Sequence, residues 1–342
     1  MKRRTRSVIV QELRKKLQIA IELEHATIPV YLYAYWSVKD HESPIAASII
    51  EVAKEEMNHM AMACNIMNAV GGFVNCANQK FIPSYPTGLP GHNETFDSFK
   101  VSLGKLSIDS IITFLQIELP RDPAMDSELG KGWTTIADFY LDVLKDIDEL
   151  DDEDFSHGRQ LNDSDSPDAA GILFSVTNKR TAKLCIAEII EQGEGLRNEN
   201  KLISKVVNMK SHYERFLKVY HDMGGYGEVD QNNFNREELT QKVDQDKYQA
   251  FMKNVHNMVT NPANSSITNK HYKRENLKFN SLYSHMLDNM HTHVHKKHPD
   301  MSAAIRTMFA LGRHAAALRS IQLDNGEVGG PSFEYIPIKE RR

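Results

Sequence analysis

Charged groups on the apolar stripes of two long helical patterns constrain this chain more than any other feature. Over residues 8–37, Leu13, Leu17, Ile21, Glu24 and Ile28 recur at helical spacing. Over residues 44–70, Glu56 and His59 sit among Ile49, Val52, Ala53, Met60, Ala63 and Ile66. A charge removed from water is too costly unless it is paired or bound to a cation. The two helices are therefore expected to face one another and supply each other's partners. Glu24 lies on the Leu17–Ile21–Ile28 stripe and Glu22 falls off it, although a one-residue rotation near Pro29 would exchange them. Pro29 predicts a kink or local distortion.

The second helix has a marked start and stop. Ser43 is placed to cap it, Pro44 takes the first helical position, and Gly71-Gly72 ends it. Residues 73–105 change character, and the Pro- and Gly-rich run 81–91 reads as an extended crossover. Helical pattern returns over 106–119, 133–150, 179–199, 203–223, 236–258, 276–295 and 300–319. The strongly acidic stretch 145–168 reads as a solvated loop, and a tail containing Gly329-Gly330-Pro331 follows the last helix. Strand signals are nearly absent, so the fold class is mostly α. Residues 1–225 are expected to form a helical bundle and residues 226–342 a helical extension packed on it.

Bulk properties exclude several function classes. A net charge of -5 gives no basic excess for nucleic acid. No apolar run is long enough for a membrane span. The basic N-terminus is interrupted by Glu12, Arg14, Lys15 and Lys16 and reads as a lead-in to a helix rather than a signal peptide. Cys64, Cys76 and Cys185 lack CxxC spacing, which fits a reducing, cytoplasmic setting.

Glu56 and His59, three apart, share one helix face, because three residues turn a helix through roughly 300°. That spacing lets a bridging carboxylate and a terminal imidazole reach adjacent metal ions, as in di-iron helical bundles. Glu24 is the first candidate partner. Glu191 and Glu194 share a face beside Gly193 and Gly195, whose use in a helix points to close approach of a backbone or ligand; the alternative is a fraying acidic helix end. Glu118, on the Ile111–Leu115 face, is either a ligand or a carboxylate near a helix end. His212 is either a ligand or a hydrogen-bonded core histidine. Met209 stands where a symmetric second ExxH would need Glu. The cluster His291, His293, His295 and His298 reads as a solvated helix end beside Lys296 and Lys297. Tyr31, Tyr35, Trp36 and Phe114 are candidates to line a pocket.

Residues 17–33, 55–60 (Glu55-Glu56-Met57-Asn58-His59-Met60) and 68–72 together resemble the ferritin-like domain family of the iminophenyl-pyruvate dimer synthase type, which acts in violacein-type bisindole biosynthesis. Matching pieces also occur at 83–86, 114–120, 192–195, 211–216, 279–284 and 330–335, so the resemblance spans nearly the whole chain. It implies a ferritin-like four-helix bundle with a long crossover and additional C-terminal helices, and a place in natural-product biosynthesis. The larger bisindole enzymes carry sequence absent here, so dimerising an indole imine is one implied activity among several.

The expected function is a di-iron oxidoreductase or oxygenase acting on a small amino-acid-derived metabolite. Glu24, Glu56, His59, Glu118, Glu191, Glu194 and His212 form its expected ligand set, and no nucleotide cofactor is indicated. Imine coupling and non-enzymatic iron binding are the alternatives. A homo-oligomer is left open, and neither nucleic acid nor membrane is an expected partner.

Overall fold

The computed structural model describes residues 4–91, 99–120, 135–155, 158–166, 171–193 and 210–341. Ten α-helices occur among the described residues, and β-pairing there is limited to isolated bridges. They are α1 (Arg6–Ser37), α2 (Pro44–Ala69), α3 (Ile108–Ile117), α4 (Ile136–Asp148), α5 (Lys179–Gly193), α6 (His212–Asp222), α7 (Arg236–Gln241), α8 (Gln245–Met252), α9 (Lys270–Val294) and α10 (Ser302–Arg319). None is long and apolar enough to cross a membrane.

The first half of α1 is amphipathic, burying Ile9, Leu13, Leu17, Ala20 and Ile21. From Leu23 to Ala34 every residue is buried, so here the helix is surrounded on all sides. The helix continues through Pro29, which correspondingly lacks an N–H for the His25 carbonyl. A nearby hydroxyl satisfies another carbonyl of this turn, Tyr85 donating to Ala26 O at 2.8 Å.

The start of α2 follows the sequence expectation, with Ser43 Oγ accepting from the Ala46 amide at 3.3 Å and Pro44 at the first position. After its end Gly71 takes φ +69°, a left-handed conformation that glycine adopts without a Cβ clash. Arg14 closes this corner by donating to Val70 O at 3.0 Å.

The two longest N-terminal helices lie side by side. Helix α4 packs on α1 and α5, α5 and α6 pack on α2, and α3 packs on α6. Helices α9 and α10 form a pair that meets α1 through α10. Trp36 at the end of α1 stacks on Phe333 with ring centroids 5.8 Å apart and an interplanar angle of 5°.

Two sequence expectations change. Residues 236–258 form two short helices rather than one, because residues 242–244 pair with the turn after α6. Tyr226 N donates to Lys242 O at 3.1 Å, and Asp244 N donates to Gly224 O at 2.8 Å. Asp244 then caps α8 by accepting from Lys247 N. The acidic stretch 145–168 is not simply solvated, since Phe155, Leu161 and Asp165 are buried. Asn65 of α2 holds it through a side-chain amide, donating to Leu161 O at 2.9 Å and accepting from Leu161 N at 2.7 Å.

Candidate metal centre

Where α1, α2, α3 and α6 converge, three carboxylates and two imidazoles meet in the core. Glu24, Glu56, His59 and Glu118 are at most 3% exposed and His212 is 0% exposed. Their ligand atoms form two triads, Glu24–Glu56–His59 and Glu56–Glu118–His212, each with its atoms within 4.8 Å of one another. Glu56 belongs to both.

Each carboxylate has one oxygen held by a hydroxyl donor. Tyr140 of α4 donates to Glu24 Oε1, Tyr31 of α1 to Glu118 Oε1, and Thr27 of α1 to Glu56 Oε2 at 2.9 Å. The other oxygen of each faces the imidazoles. His59 Nδ1 lies 3.6 Å from both Glu24 Oε2 and Glu56 Oε1. His212 Nδ1 lies 2.9 Å from Glu56 Oε1 and 3.5 Å from Glu118 Oε2. The two rings stack at 5.4 Å between centroids.

The far ring nitrogens are anchored outward. His59 Nε2 is 2.8 Å from Gln192 Oε1 of α5, and His212 Nε2 is 2.8 Å from Glu55 Oε2, which also accepts from Arg215. Both partner oxygens are acceptors, so both histidines carry Nε2–H and aim Nδ1 at the carboxylates. Such outer bonds fix the tautomer and orientation of a metal-binding imidazole.

Without a cation this cluster must hold protons. Burial lowers the affinity of His59 for a proton, but Glu24 and Glu56 outweigh that and raise its pKa to about 10. Burial acts likewise on His212, and Glu118, Glu55 and Glu56 together raise it well above the usual histidine value. Burial and the neighbouring Glu56 charge push Glu24 up to about 7. Burial also opposes ionisation of Glu56, yet His212 and His59 overcome it and hold this carboxyl below its usual range.

The donor set fits a pair of cations. His212 Nδ1 is buried and meets the Glu56 and Glu118 oxygens as an ion pair, without hydrogen-bond geometry. Oxygen and imidazole donors suit iron, manganese or zinc. A space of about 10 Å³ lined by Glu24, Glu56, His59, Glu118, Tyr140 and Gly193 is comparable to the ~10–15 Å³ that one water needs. Gly193 borders this space, and a Cβ built on it would stand in ordinary contact with Glu118 Oε2, at 3.6 Å.

Of the seven residues proposed from sequence as metal ligands, Glu24, Glu56, His59, Glu118 and His212 come together. Glu22 is off the site, accepting from Gln18 at 2.9 Å. Glu191 is half-buried on α5 and joins neither triad. Glu194 and Met209 lie outside the described residues. The carboxylate sought three residues before His212 is supplied instead by Glu118 and by the shared Glu56. Tyr31 reaches the site and Phe114 packs on it at 4.8 Å between centroids. Tyr35 and Trp36 pack elsewhere, on His41 and Phe333. The histidines near residue 295 are packed as well as exposed: His295 stacks on Phe73 at 4.0 Å and lies 2.9 Å from Val74 O.

Sequence reasoning missed Tyr140, Glu55, Arg215, Gln192 and Thr27. Two carried a usable signal. Arg215 is three residues after His212 and so shares its face, and Gln192 directly precedes the glycine singled out for close approach.

A family model described as Ferritin-like matches residues 17–221. Among solved structures, the chain is similar to a ferritin-like protein from Caulobacter vibrioides, with a TM-score of 0.64 and 19% sequence identity over 94% of this chain and 97% of that one. No curated protein sequence matches the chain significantly.

Proposed function

This chain belongs to the ferritin-like family, and from that premise we propose that its buried site holds two iron ions and serves an oxidoreductase or oxygenase acting on a small amino-acid-derived metabolite. The observation that carries the reading is the arrangement of the carboxylates. Each has one oxygen tied back by a hydroxyl and the other turned toward an imidazole Nδ1.

In this assignment Glu24 and His59 serve one ion, Glu118 and His212 the other, and Glu56 both. The case for Glu191 and Glu194 as further ligands rests on the sequence alone. Iron bound there would supply redox chemistry toward dioxygen and substrate. The chain's own residues perform the rest. Tyr140, Tyr31 and Thr27 orient the carboxylates, and Gln192 and Glu55 keep both Nδ1 atoms free for coordination. Ile189 and Ile190 wall the space with apolar surface, which leaves little room for solvent. The placement in natural-product metabolism, and a kinship with the iminophenyl-pyruvate dimer synthase type in particular, rest on the sequence resemblance.

Anaerobic loading of the full chain with ferrous iron, followed by metal analysis and optical spectroscopy in air, tests the reading. Two irons per chain and an oxygen-dependent optical change are expected, and Glu56→Ala should lose both ions. A chain that takes up no iron, or a Glu56→Ala variant with full iron content, would overturn it. The first outcome would favour imine coupling on a metal-free pocket. Mineralised iron in large oligomers would instead favour storage.

A further inference from the structure

A second internal space lies between the α1/α2 pair and the α9/α10 pair, with a volume of about 100 Å³. It shares no lining residue with the metal centre. It is several times larger than the ~10–15 Å³ that a single water requires. Its walls take Met57 and Met60 from α2, Met286 and Met290 from α9, Met301 from the turn before α10, and Met308 from α10. Thioether side chains are flexible, fill irregular space and make favourable contacts with aromatic rings. The space is about two-thirds of the ~150 Å³ cavity known to hold benzene, and so dense a gathering of flexible thioethers lets it widen around a ring.

The same lining contains His25, which is 3% exposed. Its Nε2 lies 2.6 Å from the Tyr283 hydroxyl, and its Nδ1 makes no hydrogen bond. The tautomer follows from these two facts. Were Nε2 to carry the hydrogen, the Tyr283 hydrogen and the Nδ1 lone pair would both lack partners. With Tyr283 donating to Nε2, a single orphan remains, the Nδ1–H. A buried donor left unpaired is costly, and an acceptor on a ligand would relieve it. Among the described residues no Lys or Arg lines the space, whereas Asp165 does, so the lining there offers an anionic ligand no counter-charge.

We propose that this methionine-lined cavity binds an uncharged aromatic molecule carrying one acceptor oxygen, which takes a hydrogen bond from His25 Nδ1. Pockets of this kind pair a mostly apolar lining with a few polar groups that fix orientation. His25 directly follows Glu24, and Met57 and Met60 directly follow Glu56 and His59. The occupant therefore sits against α1 and α2, two of the helices that carry metal-site residues, on a neighbouring face of each.

The test uses metal-free full-length protein, so it stands apart from the metal reading. Acetophenone is titrated while its own NMR signals and the His25 ring nitrogens are observed. Saturable binding with a shift of His25 Nδ1 is expected. Ethylbenzene, which lacks the acceptor, should bind about tenfold more weakly, the factor that about 1.4 kcal/mol confers. Benzoate should not compete. Ala61→Phe and Ala304→Phe fill the space from opposite walls, and each folded variant should lose acetophenone binding. No saturable binding to the wild type, an unmoved His25 signal, or undiminished binding to a folded filled variant would each sink the proposal. Ethylbenzene or benzoate binding as tightly as acetophenone would do the same.

Discussion

Glu55 shows how a residue outside both triads governs the one inside. Its carboxylate takes the Nε2–H of His212 and an Arg215 guanidinium, and these partners overcome burial to hold its pKa low. Glu55→Gln keeps the shape but removes the charge behind His212. Metal affinity should fall by about 10–100-fold at the Glu118/His212 position, a loss readable by chelator competition. Protons compete for the same atoms. His59, raised to about 10, stabilises the metal-free fold fully below the ordinary histidine value, and that contribution is lost as pH rises through 10. Glu24, raised to about 7, acts in the same direction lower down, its contribution lost as pH climbs from 4.5 to 7. Glu56 has the opposite sign, its contribution being lost progressively as pH falls below 4.5. The metal-free protein should therefore melt at a lower temperature at pH 9 than at pH 7, while metal affinity rises over the same interval. Paired thermal melts and metal titrations check both; a flat metal affinity between those pH values would contradict the proton-release account. Glu24, Glu56 and His59 were legible in sequence because a charged group interrupts an apolar stripe. Tyr140 was not, because its bond to Glu24 joins residues 116 apart in sequence.

At the level of elements, caps set the site's precision. His212 is the first residue of α6, and Ser211 caps that helix reciprocally with Glu214. Ser211 Oγ accepts from Glu214 N at 3.3 Å, and Ser211 N donates to Glu214 Oε2 at 2.9 Å. Ser211→Ala should cost about 1 kcal/mol in denaturant unfolding and also weaken metal retention. Ser43→Ala at the start of α2 should cost a similar amount and leave retention unchanged, because Glu56 lies more than three turns further along. Equal retention in both variants would show that cap and ligand are uncoupled. Helix positions were largely readable from periodicity and from signals such as Ser43-Pro44. The break between α7 and α8 was not, for Lys242-Val243-Asp244 contains no Gly or Pro. Tertiary hydrogen bonds to the turn after α6 make it, and those have no local signature.

Across the whole molecule, asparagines on helices fasten chain that has no regular structure. On α2, Asn65 pairs with Leu161 through both its amide groups, and Asn68 donates to Arg159 O at 2.8 Å and Val294 O at 2.9 Å. On α9, Asn276 accepts from Ser332 N at 3.0 Å and Asn280 from Glu334 N at 3.1 Å. The four asparagines are at most 1% exposed, so these bonds lie away from water. In deuterated solvent the backbone amides of Leu161, Ser332 and Glu334 should therefore exchange on the timescale of the long helices, orders of magnitude slower than open loop amides. Rapid exchange at those three positions would mean that the segments detach while the bundle stays folded. Slow exchange at all three means that the acidic stretch and the tail after α10 open only when the bundle itself opens.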